Sequence, residues 1–441
     1  MEYKQSRFII AQPYEDHWLL FSTLTCSLVQ LKEPDYQTVF AERDYSALPD
    51  TVLQLAKMGF LVPKDRDELG YLKDLRLKAR ASVNGKGYFY LICPTMKCNA
   101  RCFYCFENGI EKPSMSLETA EDVVQYILRT KNDGSIGIQW FGGEPLLGTK
   151  IIDYISTRLL ESNVEFRSKI ITNGYLLEEP ILNRATSLWR TDIIQVTIDD
   201  IGQAYNKIKD YSYGRMDESP YDRVIRNVHL AGKKLKVRIR VNFNAANPEE
   251  GKRIAQTLRD EFASEENVQV YVAPIDSTDP SIPPITGSFK NKAKHPLIAF
   301  FESFEDYSIF GNPTLVQPQV TKETTRLLQK FFLRPITMPC LAACSSYVSI
   351  DALGLIYPCH RWLGKPEYSA GNVRDGIDES SHWWRFFSDM DIDDECASCP
   401  LLPMCQGGCK QRQINYGKEH SCTPIKGCAK EVIRLFKESL P

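Results

Sequence analysis

The stretch "CPTMKCNARCFYCFE", residues 93–107, places Cys93, Cys98, Cys102 and Cys105 within thirteen residues. It directly follows "YFYLIC" (88–93), an apolar and aromatic run that reads as a β-strand. Five further strand candidates recur downstream: "IGIQWFG" (136–142), "KIITNG" (169–174), "IIQVTID" (193–199), "KVRIRVN" (236–242) and "VQVYVAP" (268–274). Helical patterns fall between them. Ser116 is placed to cap a helix whose Val123, Val124, Ile127 and Leu128 share one face. Later helices are "KIIDYISTRLLES" (150–162), "EEPILNRATSL" (178–188), "YDRVIRNVHLAGK" (221–233) and "PEEGKRIAQTLRDEF" (248–262). Alternation of this kind predicts a parallel α/β sheet with right-handed crossovers, either open or a partial barrel. Six units fall short of a closed eightfold barrel. In both forms the site belongs at the C-terminal ends of the strands, where the cysteine loop lies.

The flanking regions differ. Residues 1–62 read as a small α+β unit. Its strands are "RFIIAQ" (7–12), "HWLLFST" (17–23) and "SLVQL" (27–31), its helices "EPDYQTVFAE" (33–42) and "LPDTVLQLAKMG" (48–59), and "FLVP" (60–63) returns as a strand. The charged "KDRDELGYLKDLRLKARAS" (64–82) reads as a solvated linker helix. A Pro-rich stretch from about 276 precedes two helical patterns, "LIAFFESFEDY" (297–307) and "TKETTRLLQKFF" (321–332). After Cys340 the helix–strand periodicity fades into a cysteine-rich, irregular segment in which metal ligation would supply order. The domain boundaries expected are 1–80, 81–310 and 311–441.

At 441 residues the chain exceeds one ordinary core. A net charge of −2 gives no bulk pull toward nucleic acid or an anionic membrane. No apolar run reaches a membrane span and the N-terminus lacks a signal-peptide core, so a cytoplasmic location is expected. Fourteen cysteines in such a compartment point to metal rather than to disulfides. Cys26 stands alone, and Cys93 lies in the strand, out of phase with its neighbours, as a core thiol. Cys98, Cys102 and Cys105 form CxxxCxxC. Three thiolates on one loop suit three corners of a [4Fe–4S] cube and leave one iron open to a substrate. Zinc is the competing reading, but a structural zinc site takes four ligands and no histidine lies nearby.

"CNARCFYC" (98–105) resembles the signature of radical S-adenosylmethionine (SAM) enzymes, whose CxxxCxxC loop follows the first strand of a partial (β/α)6 barrel. Other marks of that family stand in order at successive strand ends. "GGEP" (Gly142, Gly143, Glu144, Pro145) resembles the segment whose backbone lies near the SAM amino group. "TNG" (Thr172, Asn173, Gly174) follows the third strand, and Thr197 in "VTIDD" would face the SAM ribose or carboxylate. Tyr104 matches the aromatic beside the adenine, and Arg240 and Asn242 are weaker matches to groups that bind SAM. The resemblance implies that the open iron chelates SAM and that reductive cleavage yields a 5′-deoxyadenosyl radical. That radical abstracts hydrogen from a C–H bond, while the protein positions the bond and excludes quenchers.

The C-terminal cysteines follow a second pattern. Cys344, Gly354 and Cys359 are spaced CxxxxxxxxxGxxxxC, and "CASCPLLPMCQGGC" (396–409) and Cys428 follow. This resembles the SPASM extension of a radical SAM subgroup. The resemblance implies two auxiliary [4Fe–4S] clusters: Cys340, Cys344, Cys359 and Cys409 on one, Cys396, Cys399, Cys405 and Cys428 on the other. Cys422 remains an alternative to Cys428, and Cys340 is close to Cys344, which leaves complete ligation of the first cluster open. A zinc ribbon would account for the CxxC and CxxxC pairs but not for the Gly354–Cys359 turn.

SPASM enzymes mostly modify peptides. Sulfatase-maturing members carry an Asp after the Cys359 equivalent, where this chain has His360, a weak candidate base whose simpler role is a hydrogen bond beside a cluster. The N-terminal unit, with "LLFSTLTCSLVQL" (19–31), resembles the PqqD-like leader-recognition domain of peptide maturases, which accepts an extended peptide beside its sheet; a structural cap is the alternative. The expectation is a maturase of a ribosomally made peptide, installing a cross-link, an epimerised centre or an oxidised residue. It would take a precursor peptide and a flavodoxin- or ferredoxin-type reductant as partners. A formylglycine-generating enzyme and a small-molecule SPASM enzyme are the alternatives.

Overall fold

The computed structural model describes residues 2–84, 87–131, 134–212, 218–244, 247–275, 333, 340–389, 391–423 and 425–440. The expected Pro-rich stretch and the helices at 297–307 and 321–332 lie outside the described residues. The chain divides into two compact units: Met1–Arg80 with Ile285–Pro339 and Met390–Pro441, and Ala81–Pro284 with Cys340–Asp389.

In the first unit, β1 (Tyr3–Gln5) is followed by β2 (Ile9–Tyr14), β3 (His17–Ser22) and β4 (Leu28–Lys32), and β5 (Leu61–Pro63) returns to β1. β2, β3 and β4 form an antiparallel sheet in that order, with β4 at one edge, and β1 and β5 pair antiparallel. β2 to β5 are the strands expected at 7–31 and 60–63, and β1 was not expected. Ile9, Leu20 and Leu31 from the sheet pack with Val39, Val52 and Leu55 into one core. The helix Pro49–Lys57 stops before Gly59, whose φ of +83° is a conformation that glycine adopts without strain.

The helix Glu68–Asn84 is not the fully solvated linker its charge implied. Glu68, Leu72 and Arg76, spaced by four, are all buried. The Glu68 carboxylate accepts from Ser6 Oγ at 2.5 Å and from Arg7 N at 3.1 Å. Nor does periodicity disappear after Cys340. The last helix, Ala429–Glu438, buries Val432, Ile433 and Phe436, and Phe436 meets Phe21 edge-on at 6.1 Å.

The second unit holds an eight-stranded sheet. β6 (Gly87–Thr95), β7 (Ser135–Gly142), β8 (Phe166–Thr172), β9 (Thr191–Thr197), β10 (Lys236–Phe243) and β11 (Val268–Pro274) lie side by side in chain order, all parallel. These are the six expected strands, with helices in the connections, as in a partial TIM-like barrel. Ser116 caps the helix Leu117–Thr130 by accepting from Thr119 N at 3.0 Å. That helix buries Val123, Val124 and Ile127 as expected, but Tyr126 takes the place given to Leu128, which is half-buried. On the far side of β6, β12 (Tyr347–Ile350) adds a seventh parallel strand and β13 (Ile356–Tyr357) closes antiparallel on it. The cysteine-rich segment therefore supplies strands to the sheet, which its irregular composition concealed.

Replacing Glu68 with Ala leaves the Ser6 hydroxyl and the Arg7 amide without their acceptor. A loss of about 1–3 kcal/mol is expected for such buried donors, read as a lower midpoint in thermal or urea unfolding of the full chain.

Candidate cofactor and cluster site

The loop after β6 carries Cys98, Cys102 and Cys105, all half-buried. Tight turns fold it: Cys105 N donates to the Cys102 carbonyl at 3.2 Å, and Asn108 N to the Cys105 carbonyl at 3.1 Å. Two main-chain bonds tie it to residues 209–212, from Arg101 N to the Lys209 carbonyl and from Ser212 N to the Asn99 carbonyl, each 2.7 Å. Gly142 and Gly143 allow the end of β7 to lie against the start of this loop. A Cβ on Gly143 would stand 2.4 Å from the Lys97 carbonyl oxygen and 2.5 Å from that of Met96, and Gly142 has φ +110°. Cys93 is fully buried under the same turn, its thiol 3.2 Å from the Thr95 carbonyl oxygen, in keeping with a core role.

Glu144 follows the two glycines and is fully buried. Its carboxylate accepts from Thr172 Oγ1 and Asn173 N, both at 2.8 Å, and from Leu146 N at 3.1 Å. Burial pushes its pKa up to about 7, against these three donors. Asn173 Nδ2 in turn donates to Asn99 Oδ1 at 2.7 Å, inside the cysteine loop. The "GGEP" and "TNG" segments thus form one bonded ridge across the ends of β7 and β8, and the Glu144 side chain is spent on holding it.

The next strand ends supply charge. Asp199, just past β9, is 4% exposed and receives three donors. Lys209 Nζ lies 2.7 Å from its Oδ2, Tyr104 OH donates to the same oxygen at 2.6 Å, and Asn242 Nδ2 donates to Oδ1 at 2.8 Å. Arg240 Nε donates to Asn242 Oδ1 at 2.8 Å. Lys209 is 2% exposed. Burial alone would lower its pKa, but the Asp199 carboxylate outweighs that and the ammonium is held well above its ordinary range. Tyr104, Asn242 and Arg240, three of the candidate SAM contacts, are thus drawn together around Asp199, and Thr197, which pairs with Arg240 in the sheet, closes β9 half-buried. Asp199 and Lys209, the centre of the network, were missed. Asp199 stood in the quoted "VTIDD", whereas Lys209 lies in a short helix, Gly202–Lys209, that no pattern announced.

Cys340, Cys344 and Cys359 belong to the same unit. Cys359 leads into a 3-10 turn, His360–Trp362. The His360 ring lies 5.6 Å from Phe141 and 6.5 Å from Phe106, and the Arg361 guanidinium stands 4.4 Å over the Phe106 ring. Glu107, unremarked in the sequence, is 2% exposed beside them, and its Oε1 has no hydrogen-bond partner among the described residues. Burial pushes its pKa up to about 7, only partly offset by Lys112 and Arg361.

In the first unit, Cys396, Cys399, Cys405 and Cys422 line one pocket, together with Glu395, Leu402 and Lys426. Cys409 is exposed and Cys428 is buried at the start of the last helix.

The donor sets fit iron–sulfur clusters. They consist of thiols, three on one loop and four around one pocket. Among the described residues no three Cys, His, Asp or Glu side chains converge as a single ion requires. A four-iron cube needs no such convergence, because each thiolate takes a separate corner.

Residues 92–260 match the model of the Radical SAM superfamily. Among curated relatives, the radical SAM cyclopropyl synthase TigE of Paramaledivibacter caminithermalis is 25% identical over 167 residues, covering 33% of this chain and 35% of its own. A probable GTP 3′,8-cyclase of Methanococcus maripaludis is 32% identical over 118 residues, covering 26% and 37%. The chain spans about a third of the length of the first curated relatives it matches. Two solved structures share the fold. Native anSMEcpe with bound AdoMet aligns with a TM-score of 0.56 at 16% identity, over 79% of this chain and 99% of its own. SuiB of Streptococcus suis bound to S-adenosylmethionine aligns at 0.52 and 15%, over 95% and 99%. The chain thus carries a radical SAM domain, which indicates an enzyme and implies SAM and a [4Fe–4S] cluster. Among the described residues no helix is long and apolar enough to cross a membrane.

Replacing Lys209 with Met strands a buried carboxylate, with an expected loss of about 3–5 kcal/mol. Adding Asp199→Asn should recover much of it, and thermal melts of the two single variants and the double give the coupling.

Proposed function

We propose that the chain is a SAM-dependent peptide maturase. Its radical SAM cluster would be held by Cys98, Cys102 and Cys105. Cys340, Cys344 and Cys359 would serve one auxiliary cluster, and the Cys396–Cys399–Cys405 group the other. The observation that carries the reading is the cysteine loop, at the end of β6, bound at the ends of the next four strands through the Gly142–Gly143 turn, the Glu144–Thr172–Asn173 ridge and the Asp199 network. When bound, the cluster supplies the electron that cleaves SAM to methionine and a 5′-deoxyadenosyl radical.

The chain's own residues then act by position. The backbone of Gly142 and Gly143 would face the SAM amino-acid end, while Thr197, Arg240 and Asn242 would serve its ribose and carboxylate. Tyr104, fixed by Asp199, would stand by the adenine. Phe106, Phe141, His360 and Arg361 make an aromatic and cationic wall that excludes water from the substrate side, with Glu107 as a buried acceptor for a peptide N–H. Residues 1–80 would act as the leader-recognition domain, with β4 as the sheet edge that an extended peptide can join. A precursor-peptide complex of the fold-similar SuiB, with a TM-score of 0.51 over 96% of this chain, supports a peptide substrate. A sulfatase-type reading is disfavoured by His360 in place of the expected Asp. The likeness to GTP cyclases stops at about a quarter of the chain.

Anaerobic protein mixed with SAM and dithionite should release 5′-deoxyadenosine, and the Cys98→Ala, Cys102→Ala, Cys105→Ala variant should release none above background. A precursor peptide encoded beside the gene should change by mass spectrometry: loss of two hydrogens marks a cross-link or oxidation, and deuterium uptake without mass loss in H2O marks epimerisation. Peptide lacking its leader should be modified at least tenfold more slowly if the N-terminal unit binds it. No 5′-deoxyadenosine from reduced, iron-replete protein would overturn the reading.

A further inference from the structure

Cys428 has the spacing to close the last cluster, yet it is not among the pocket-lining thiols. It begins the helix Ala429–Glu438 and is buried, its amide donating to the Ile425 carbonyl at 3.0 Å. Cys422 instead shares the pocket with Cys396, Cys399 and Cys405. The Cys422 and Cys405 thiols lie within hydrogen-bonding reach of each other, and Thr423 N, one residue on, points at Cys405 Sγ from 3.3 Å. A cube needs four thiolates around one volume, and a thiol packed away from that volume is in the setting of an inert core cysteine.

We infer that Cys422, and not Cys428, is the fourth ligand of the cluster held by Cys396, Cys399 and Cys405, with Lys426 donating a hydrogen bond to its sulfur. The inference rests on the auxiliary-cluster reading above. Lys426 Nζ lies 3.3 Å from Cys422 Sγ and 3.0 Å from Glu395 Oε1, and the Glu395 carboxylate also meets Lys418 at 3.2 Å. The carboxylate anchors the ammonium beside the sulfur. Cys422 and Lys426 therefore bring both a ligand and a positive donor to the cluster. A cationic N–H on a ligand sulfur stabilises the reduced, more negative cluster and raises its potential. Gly408 keeps this strap close, since a Cβ there would stand 2.2 Å from the Ser421 carbonyl oxygen.

The test uses the full chain with Cys98, Cys102 and Cys105 replaced by Ala, so that only auxiliary iron remains, reconstituted anaerobically. Cys422→Ala should lose about four irons per chain relative to this background. Cys428→Ala should keep them. Cys422→Asp, an oxygen ligand at the same place, should retain iron with an altered EPR spectrum, and Lys426→Met should retain iron with a more negative midpoint potential. Iron lost from Cys428→Ala but kept in Cys422→Ala overturns the assignment, as does equal loss from both or an unchanged spectrum in Cys422→Asp. An unmoved potential in Lys426→Met removes the role of Lys426. A background protein without iron would instead sink the auxiliary-cluster reading itself, a result distinct from all the others.

Discussion

The site is built around a buried ion pair. Asp199 and Lys209 are both almost wholly removed from water, a placement that costs several kcal/mol per ion unless the remaining lone pairs and protons are satisfied. Tyr104 and Asn242 satisfy them. These four groups come from the cysteine loop, the end of β9, the end of a helix and the end of β10, so the pair is tolerable only when all four arrive together. Hydrophobic burial fixes where the strands lie but is indifferent to an ångström of loop position. The charged knot is not, and it sets where the cysteine loop stands above the sheet.

A second, neutralisable group works beside it. Glu144 meets three donors, two from the end of β8 and one from its own turn, and its raised pKa means that the fully buried carboxyl holds its proton more readily than an exposed one. The "GGEP" and "TNG" motifs are therefore structural to each other before they are anything to a ligand. What they leave available is main chain: the turn at Gly142 and Gly143, which no side chain can fill.

The sequence announced the sheet because strands more deeply buried on one face keep a period of two, as in "IGIQWFG" and "KVRIRVN". It announced the cysteine loop because ligand spacing is local. It did not announce β12, since "YVSI" sits among cysteines and pairs with β6, a partner more than two hundred and fifty residues away in the chain. The Asp199–Lys209 pair was hidden for a similar reason: two charges ten residues apart look solvated until a fold buries both. Glu107 shows the limit most clearly. Nothing in "CFEN" distinguishes a solvated carboxylate from one packed at 2% exposure near Lys112 and Arg361.

The thiols carry the last step. Burial pushes Cys98 up to about 12 and Cys396 up to about 11, so near neutral pH both would be protonated and poor ligands. Loading iron there would displace protons, and part of the metal-binding free energy would go into making thiolates in a half-dry setting. The ridge and the ion pair order the cysteine loop in advance, so that a cluster held by it would not have to bear the cost of ordering it.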